Sequence, residues 1–214
     1  MRNFELKNVD NDDLEDFLIK VEKSFQLNFG NEDFKDVQNF GELMDIVINK
    51  IQLENHEDCT KQQAFYKLRK SFAAVLSIDL RSISTTTLLS DLFPIKNRRY
   101  IIKNIEKDLG FKVSILKAPD WYSGSFIIIL ILSIVYIYWS WKIGLLGFLL
   151  SIIGLKLGEI FGKELHLKTV ADIVKYVSRE NYVNSRRNST TFNRNETEAL
   201  LTEWFREELC FEQE

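Results

Sequence analysis

The sequence predicts an all-α protein into which a pair of long apolar helices is inserted. Only two prolines and nine glycines interrupt its 214 residues, and 45% of the residues are apolar. This composition favours helices over sheets and is sufficient to build a packed core. We therefore expect small helical bundles joined to the apolar pair.

The apolar pair is the clearest feature of the chain. Residues 122–141 and 143–162 are almost entirely apolar, and Lys142 lies between them. A helix of about 20 apolar residues, rising about 1.5 Å per residue, spans the hydrocarbon core of a bilayer. Residues 121–162 are therefore predicted to form a transmembrane hairpin.

Aromatic side chains mark both ends of the predicted hairpin. Trp121 and Tyr122 stand at its start, and Trp139 and Trp141 at its turn. Such amphipathic rings favour the interfaces between membrane and water. Lysines crowd the outer flanks, whereas the turn has only Lys142. The positive-inside rule then places both termini in the cytoplasm.

Small residues form a strip along the second apolar segment. The strip consists of Gly147, Ser151, Gly154, Gly158 and Gly162. Small residues at this spacing let two helices approach closely. The partner is either the first helix of the same hairpin or a second copy of the chain, which would make a homo-oligomer.

Two charged residues interrupt the second apolar segment. A charge at the centre of a bilayer costs roughly 2.5–3.5 kcal/mol. Near the helix end, however, Lys156 can extend towards the headgroups and pair with Glu159, three residues on. The alternative is a functional polar patch.

Charge is segregated along the chain. Residues 1–58 hold 6 basic and 15 acidic residues, whereas residues 59–120 hold 12 and 5. We predict a basic face that contacts either anionic lipid or the acidic N-terminal segment. Nucleic acid is an unsuitable partner, because stacking aromatic residues are not interleaved with these charges. The predicted face consists of Lys96, Arg98, Arg99 and Lys103.

No pattern typical of catalysis or metal binding is found. Cys59 and Cys210 lie far apart, and His56 and His166 lack the spacing of metal ligands. The sequence has no nucleophile elbow, P-loop, dinucleotide fingerprint or HExxH motif. We expect two free cytoplasmic thiols, no metal, no cofactor and no enzyme activity.

Two sequence patterns occur twice outside the hairpin. They span residues 21–29 and 37–47 in a first copy and 105–113 and 167–177 in a second copy. Asn39 and Thr169 are predicted to cap the corresponding helices. The segment between the two patterns is longer in the second copy than in the first, and the difference is about the length of the hairpin. The hairpin therefore looks like an insertion into a surface loop, where insertions are tolerated.

The remaining segments complete the predicted organisation. Thr60 and Gln63 predict a capping box for a helix at 60–76, and Asn195 and Glu198 predict the start of a C-terminal helix. This last helix either begins another unit or completes the first. The predicted segments are an acidic helical unit at 1–58, a second bundle at 59–120 with 163–183, the hairpin at 121–162, a flexible linker at 184–194 and a C-terminal amphipathic helix at 195–214.

The order of these patterns resembles the acyl carrier protein family. A helix ending in E-K-x-[FL], a short loop and a helix opening [NT]-[FV]-[GA]-[ED]-[LI] occur in both copies, over most of 12–52 and 60–180. The resemblance implies small helical bundles that carry phosphopantetheine on the serine of an Asp-Ser-Leu motif. The corresponding stretches read DLFP at 91–94 and DNDDL at 10–14, without that serine, and Ser90 is the nearest one in the second copy.

The sequence therefore predicts two degenerate carrier-like units attached to a membrane hairpin. We expect a non-catalytic, membrane-anchored interaction or scaffold protein, whose partners are the lipid bilayer and an unidentified protein. The alternative is a self-associating hairpin, a channel or a toxin-like effector, that the helical bundles cap. Lys156, Glu159 and the small-residue strip favour this alternative.

The predicted topology exposes only the hairpin turn outside the cell. A cysteine in place of Ser140 should react with a membrane-impermeant thiol reagent added to intact cells. Cys59 and Cys210 should react only after the cells are permeabilised. The reverse labelling pattern would contradict the topology.

Overall fold

The chain is mostly helical, as the sequence predicts, with 65% of the residues that the structure describes in helices. The computed structural model describes residues 1–30 and 32–208. They form two compact units, Met1–Lys70 with the chain from Val174 onward, and Ser71–Ile173. The α-helices are α1 (Asn11–Phe25), α2 (Phe40–Lys50), α3 (Thr60–Leu76), α4 (Leu89–Leu92), α5 (Arg98–Leu109), α6 (Asp120–Ile137), α7 (Trp141–Phe161), α8 (Val170–Glu180), α9 (Tyr182–Ser185) and α10 (Arg194–Glu208), and two short 3-10 helices span Leu6–Asn8 and Leu80–Ser82.

Short strands join segments that are distant in sequence. In the first unit, β1 (Glu54–Asn55) pairs in parallel with β4 (Thr191–Phe192). In the second unit, β2 (Leu116–Lys117) pairs in the antiparallel direction with β3 (Glu164–Leu165). The unit boundary falls within α3 and α8, so it differs from the predicted division at residues 58 and 183.

Aromatic side chains from α1, α2 and α10 build the core of the first unit. Phe205 on α10 stacks on Phe40, with ring centroids 4.1 Å apart, and meets Phe17 edge to face at 5.5 Å. These three rings are almost completely buried, and aromatic burial contributes strongly to the stability of a small core. The C-terminal helix α10 therefore completes the first unit.

The segment predicted as a flexible linker is instead an ordered part of the first unit. Arg186 is fully buried, and its guanidinium donates to the hydroxyls of Thr191 and Thr60. It also donates to the backbone carbonyl of Asp58 at 3.1 Å. Thr191, within 184–194, therefore supplies one partner for this buried side chain, and Thr60 and Asp58 supply others, as buried polar groups require.

Two of the predicted helix caps are wrong. The backbone N–H of Thr60, at the start of α3, donates to the carboxylate of Glu196 rather than taking part in a local capping box. Helix α10 is capped two residues earlier than predicted, because Asn193 accepts the N–H of Glu196 at 3.1 Å. The carboxylate that replaces the local box at α3 lies 136 residues away in sequence, where a local pattern does not reveal it.

The two copies of the first sequence pattern make the same hydrogen bond. Glu22 on α1 accepts the backbone N–H of Phe29 at 2.6 Å, and Glu106 on α5 accepts that of Val113 at 2.9 Å. In each copy the partner lies seven residues after the glutamate. In each copy, this hydrogen bond keeps the segment that follows the helix packed against the end of that helix.

The two copies of the second pattern also agree in geometry. Asn39 caps α2 by accepting the N–H of Glu42, and Thr169 caps α8 by accepting that of Asp172, which confirms both predicted caps. Backbone hydrogen bonds from Thr169 and its neighbour Lys168 lower the pKa of the Asp172 carboxyl. In each copy an isolated antiparallel bridge joins the capping residue to an upstream segment. These bridges pair Glu5 with Asn39 and Leu88 with Thr169.

The pair of helices α6 and α7 is inserted between two paired strands. Strand β2 precedes α6 and β3 follows α7, and Lys117 lies opposite Glu164. Neighbouring strands are about 4.8 Å apart, so the chain enters and leaves the helical pair at almost the same place. An insertion with such close ends extends the surface of a bundle without opening its core.

Replacing residues 119–162 by Asn-Gly should leave a folded, water-soluble helical protein. Ala118 and Lys163 would extend the strand pairing by one residue, and Asn-Gly favours the tight turn that closes such a hairpin. The carbonyl of Lys163, which accepts from Arg98 at 2.6 Å, is retained. We expect cooperative thermal unfolding by circular dichroism in detergent-free buffer. An aggregated product, or one that unfolds without cooperativity, would show that α6 and α7 support the fold.

Candidate functional site

Helices α6 and α7 pack against each other and carry an apolar outer surface. They contain 18 and 21 residues and are long and apolar enough to cross a membrane. Only 6% of the apolar 18-residue stretch in α6 is buried, and only 22% of the corresponding stretch in α7. A soluble monomer rarely exposes a contiguous apolar patch larger than a few hundred Å². The exposed apolar residues include Ile128, Leu132, Val135, Leu146, Leu150 and Ile153.

The turn between the two helices is earlier than predicted. Helix α6 ends at Ile137 and α7 already begins at Trp141. Gly144 permits this, because a Cβ atom there would lie 2.5 Å from the Ile137 side chain. Trp141 and Lys142 consequently belong to the first turn of α7 rather than to the loop.

The strip of small residues faces the first helix of the same hairpin. Gly154 lies directly against the ring of Phe126, and a Cβ atom on Gly158 would lie 2.7 Å from the ring of Tyr122. Ser151, between them and the turn, is fully buried. Gly147 faces Ser133, and Gly162 faces the backbone of Lys117. Of the two partners that the sequence allows, the structure therefore has the intramolecular one.

Three of the four predicted interface anchors are exposed at the ends of the hairpin. Trp121 is 74% exposed at the start of α6, and Trp139 and Trp141 are 81% and 64% exposed at the turn. Tyr122 differs, because its hydroxyl donates to the backbone carbonyl of Gly154 at 3.0 Å. Adjacent residues of a helix point to different faces, so Tyr122 packs between the helices rather than outwards.

Lys156 and Glu159 form an ion pair on the outer surface of α7. The ammonium and carboxylate lie 3.1 Å apart, and both side chains are 69% exposed. The pair lies within the last two turns of the helix, which ends at Phe161. Each charge thus has a partner close to the end of the apolar surface.

Arg98 does not belong to an exposed basic face, contrary to the prediction. Its side chain is only 6% exposed, and it donates to the carbonyls of Phe93 at 2.8 Å and Lys163 at 2.6 Å. Burial lowers the pKa of Arg98, and the nearby carboxylate of Glu164 opposes this shift. Arg98 therefore joins the start of α5 to the chain that leaves α7.

Arg99 and Lys103 line a pocket where α5 meets the end of α7, which we call the basic pocket. It has a volume of about 540 Å³, and Lys112 also lines it. The guanidinium of Arg99 lies 5.4 Å from the ring centroid of Phe161, within the range of a cation–π contact. Its Nη1 atom is buried and has no hydrogen-bond partner in the described part of the chain. Lys96 is exposed outside this pocket.

Two nucleophilic side chains considered in the sequence analysis, Ser90 and Cys59, lie on the surface. Ser90, the serine nearest to the expected carrier position, is exposed on α4, and its hydroxyl lies 3.2 Å from a carboxylate oxygen of Asp91. Cys59 is an exposed free thiol, whereas Cys210 lies outside the described residues. Among residues 1–30 and 32–208, no group of three His, Cys, Asp or Glu side chains is placed to hold a metal ion.

No protein family, curated protein or solved structure matches this chain. The resemblance to acyl carrier proteins therefore stays a prediction from the sequence patterns. The structure adds that both copies share the hydrogen bonds of Glu22 and Glu106, whatever their evolutionary origin.

The sequence patterns did not indicate the two arginines that are most buried. Arg98 and Arg186 both occur in short basic runs, which usually form solvated surfaces. Their carbonyl acceptors include Lys163 and Asp58, which lie 65 and 128 residues away. No local signal identifies such an acceptor, so the burial of these side chains is a property of the folded chain.

Gly154→Leu should destabilise the hairpin, because the new side chain would overlap the ring of Phe126. Overpacking of this kind costs about 1–3 kcal/mol. Gly124→Leu is the matched control, since no described atom lies within 4 Å of a Cβ atom there and leucine favours helices. Thermal unfolding of both full-length variants in one detergent compares them. Equal melting temperatures would contradict the intramolecular packing of the strip.

Proposed function

We propose that the chain is a non-catalytic, membrane-anchored interaction protein in which α6 and α7 cross the bilayer. The apolar outer surface of this helical pair is the observation that supports the proposal most strongly. Their 18 and 21 residues correspond to roughly 27 and 32 Å of helix, close to the roughly 30 Å of a hydrocarbon core. Within the pair, Tyr122 and the hydroxyls of Ser133 and Ser151 donate to backbone carbonyls, as an apolar surrounding requires.

The distribution of side chains at the two ends supports a cytoplasmic location for both helical units. The turn carries exposed Trp139 and Trp141 and the single basic residue Lys142. The opposite end carries Trp121 and, just outside the helices, Lys117 and Lys163. Basic residues are retained on the cytoplasmic side of a membrane, which agrees with a hairpin that enters from the cytoplasm and returns to it.

The helical units are proposed to bind a protein partner rather than to carry a substrate. They resemble carrier domains in sequence order, and both lack the serine to which the carrier arm is attached. An open groove of about 670 Å³ in the first unit, lined in part by Leu14, Leu18 and Phe34, offers an apolar contact area. The groove is lined by apolar and polar side chains together, a combination that supports binding of a protein segment.

The ion pair of Lys156 and Glu159 favours a second candidate function. Charges within a membrane helix often line an ion pathway when several chains assemble around them, so a self-associating hairpin that conducts ions is the alternative. Against it, the strip around Gly154 and Gly158 is already covered by α6 and is not available to a second chain. We therefore place anchoring first.

Membrane anchoring is tested with the intact chain and the Asn-Gly variant that lacks residues 119–162. The intact chain should stay in the membrane fraction after an alkaline carbonate wash. Such a wash releases proteins held at the membrane surface by ionic contacts, whereas helices inserted into the hydrocarbon core are retained. The shortened variant should appear in the soluble fraction. Release of the intact chain by carbonate would contradict the anchor.

Ion conduction is tested with the intact chain in liposomes. The anchor function predicts the same ion flux as in protein-free liposomes. A flux that depends on protein and changes with Lys156→Leu would favour the conducting hairpin and contradict a purely anchoring role. Ile153→Leu is the matched control, because it alters the exposed surface of the same helix without changing charge.

A further inference from the structure

The basic pocket lies at the end of the hairpin that the proposed anchor would place at the cytoplasmic membrane surface. It is bounded by α5, by the chain at 112–116 and by the last turn of α7. We propose that this pocket binds a phosphate group, supplied by the headgroup of an anionic phospholipid, through Arg99 and Lys103. The assignment of the lipid source rests on the proposed membrane anchoring.

Arg99 lines the pocket, and one nitrogen of its guanidinium lacks a hydrogen-bond partner among the described residues. Its Nη1 atom is buried and has no acceptor in the described part of the chain, although buried donors are rarely left without one. The guanidinium carbon lies 5.4 Å from the ring centroid of Phe161, a contact that restrains the side chain. A planar guanidinium with donors arranged as a fork matches the oxygen atoms of a phosphate.

The acidic residues of the pocket do not neutralise its cations, because both are engaged elsewhere. Glu106 accepts the backbone N–H groups of Val113 at 2.9 Å and Ser114 at 3.4 Å. Glu159 forms its ion pair with Lys156. Lys103, which is exposed at the pocket, forms no ion pair with any residue that the structure describes. The pocket therefore retains positive charge for a ligand.

The start of α5 adds to the attraction for an anion. Its first turn contains no acidic residue and begins with two arginines, an arrangement that the positive end of the helix dipole disfavours. Arg98 is compensated by two backbone carbonyls, whereas Arg99 has no such compensation at Nη1. A phosphate bound in the pocket would place a negative charge beside the Arg99 guanidinium and would also be favoured by the helix dipole.

The position of the pocket favours a lipid over a soluble phosphate compound. Ile160 lines the pocket and is 55% exposed on the apolar outer surface of α7. Leu157 and Ile153 continue that surface along the helix, 43% and 54% exposed. A phosphate bound at Arg99 would thus lie next to a surface suited to acyl chains, as basic pockets beside membrane helices do for anionic lipids.

The test titrates the full-length chain in non-ionic detergent with three ligands, using native mass spectrometry to count bound molecules. The ligands are dihexanoylphosphatidylglycerol, dihexanoylphosphatidylcholine and glycerol phosphate. We expect one phosphatidylglycerol molecule to bind, and the other two to bind at least about tenfold more weakly. Equal binding of glycerol phosphate would overturn the lipid as the source of the phosphate.

Variants locate the site. Arg99→Gln and Lys103→Gln should each weaken phosphatidylglycerol binding by about tenfold, the effect of losing one charge-assisted contact. Lys107→Gln removes the same charge from the same helix outside the pocket and should bind like the unmodified chain. Exposed Lys103 offers a test even if Arg99→Gln fails to fold. Unchanged phosphatidylglycerol binding in Lys103→Gln would overturn the site, whether or not Arg99→Gln folds.

The same variants separate this proposal from membrane anchoring. Arg99→Gln and Lys103→Gln should both stay in the membrane fraction after the carbonate wash, because neither residue lies in α6 or α7. If the unmodified chain stays in the membrane fraction but binds phosphatidylcholine as tightly as phosphatidylglycerol, only the phosphate site is overturned. Release of the unmodified chain by carbonate would overturn the anchor and, with it, the lipid source.

Discussion

The pairing of β2 with β3 is the constraint on which the second unit depends. It brings Lys117 and Glu164 opposite each other, so that 46 intervening residues leave and re-enter the bundle at one place. Arg98 reinforces this junction by donating to the carbonyl of Lys163. Because the ends of the hairpin are held together, α6 and α7 can extend outwards while the buried residues Val113 and Val170 remain in the bundle core.

The buried arginines show how the chain manages charge inside small cores. Arg186 in the first unit and Arg98 in the second have their donors directed at carbonyls and hydroxyls rather than at carboxylates. Neutral acceptors satisfy the guanidinium without burying a second charge, whose desolvation would be costly. Arg99 departs from this arrangement, since its buried Nη1 atom has no acceptor among the described residues. Arg98 is therefore a structural side chain, whereas the neighbouring Arg99 is a candidate for binding a ligand.

The repeated E-K-x-[FL] pattern has a structural explanation in both copies. Its glutamate, Glu22 or Glu106, accepts a backbone N–H seven residues later and closes the turn after the helix. Gln26 and Gly110 occupy the same place in that turn, both with a left-handed backbone. Such a turn can end a helix in any small helical bundle. The recurrence of the glutamate thus explains the fold of the two copies and does not by itself argue for a carrier activity.

The sequence by itself determined the features that depend on neighbouring residues: the mostly helical content, the caps at Asn39 and Thr169, and two apolar helices of membrane-spanning length. Each follows from propensity, local hydrogen bonding or hydrophobicity within a few turns. Only the tertiary structure decided the burial of Arg98, the order of the segment around Arg186 and the partner of the strip at Gly154. These depend on groups tens of residues away, brought close by the packing of helices. A local pattern carries information about the residues within it, whereas the acceptor of a buried donor is chosen by the whole fold.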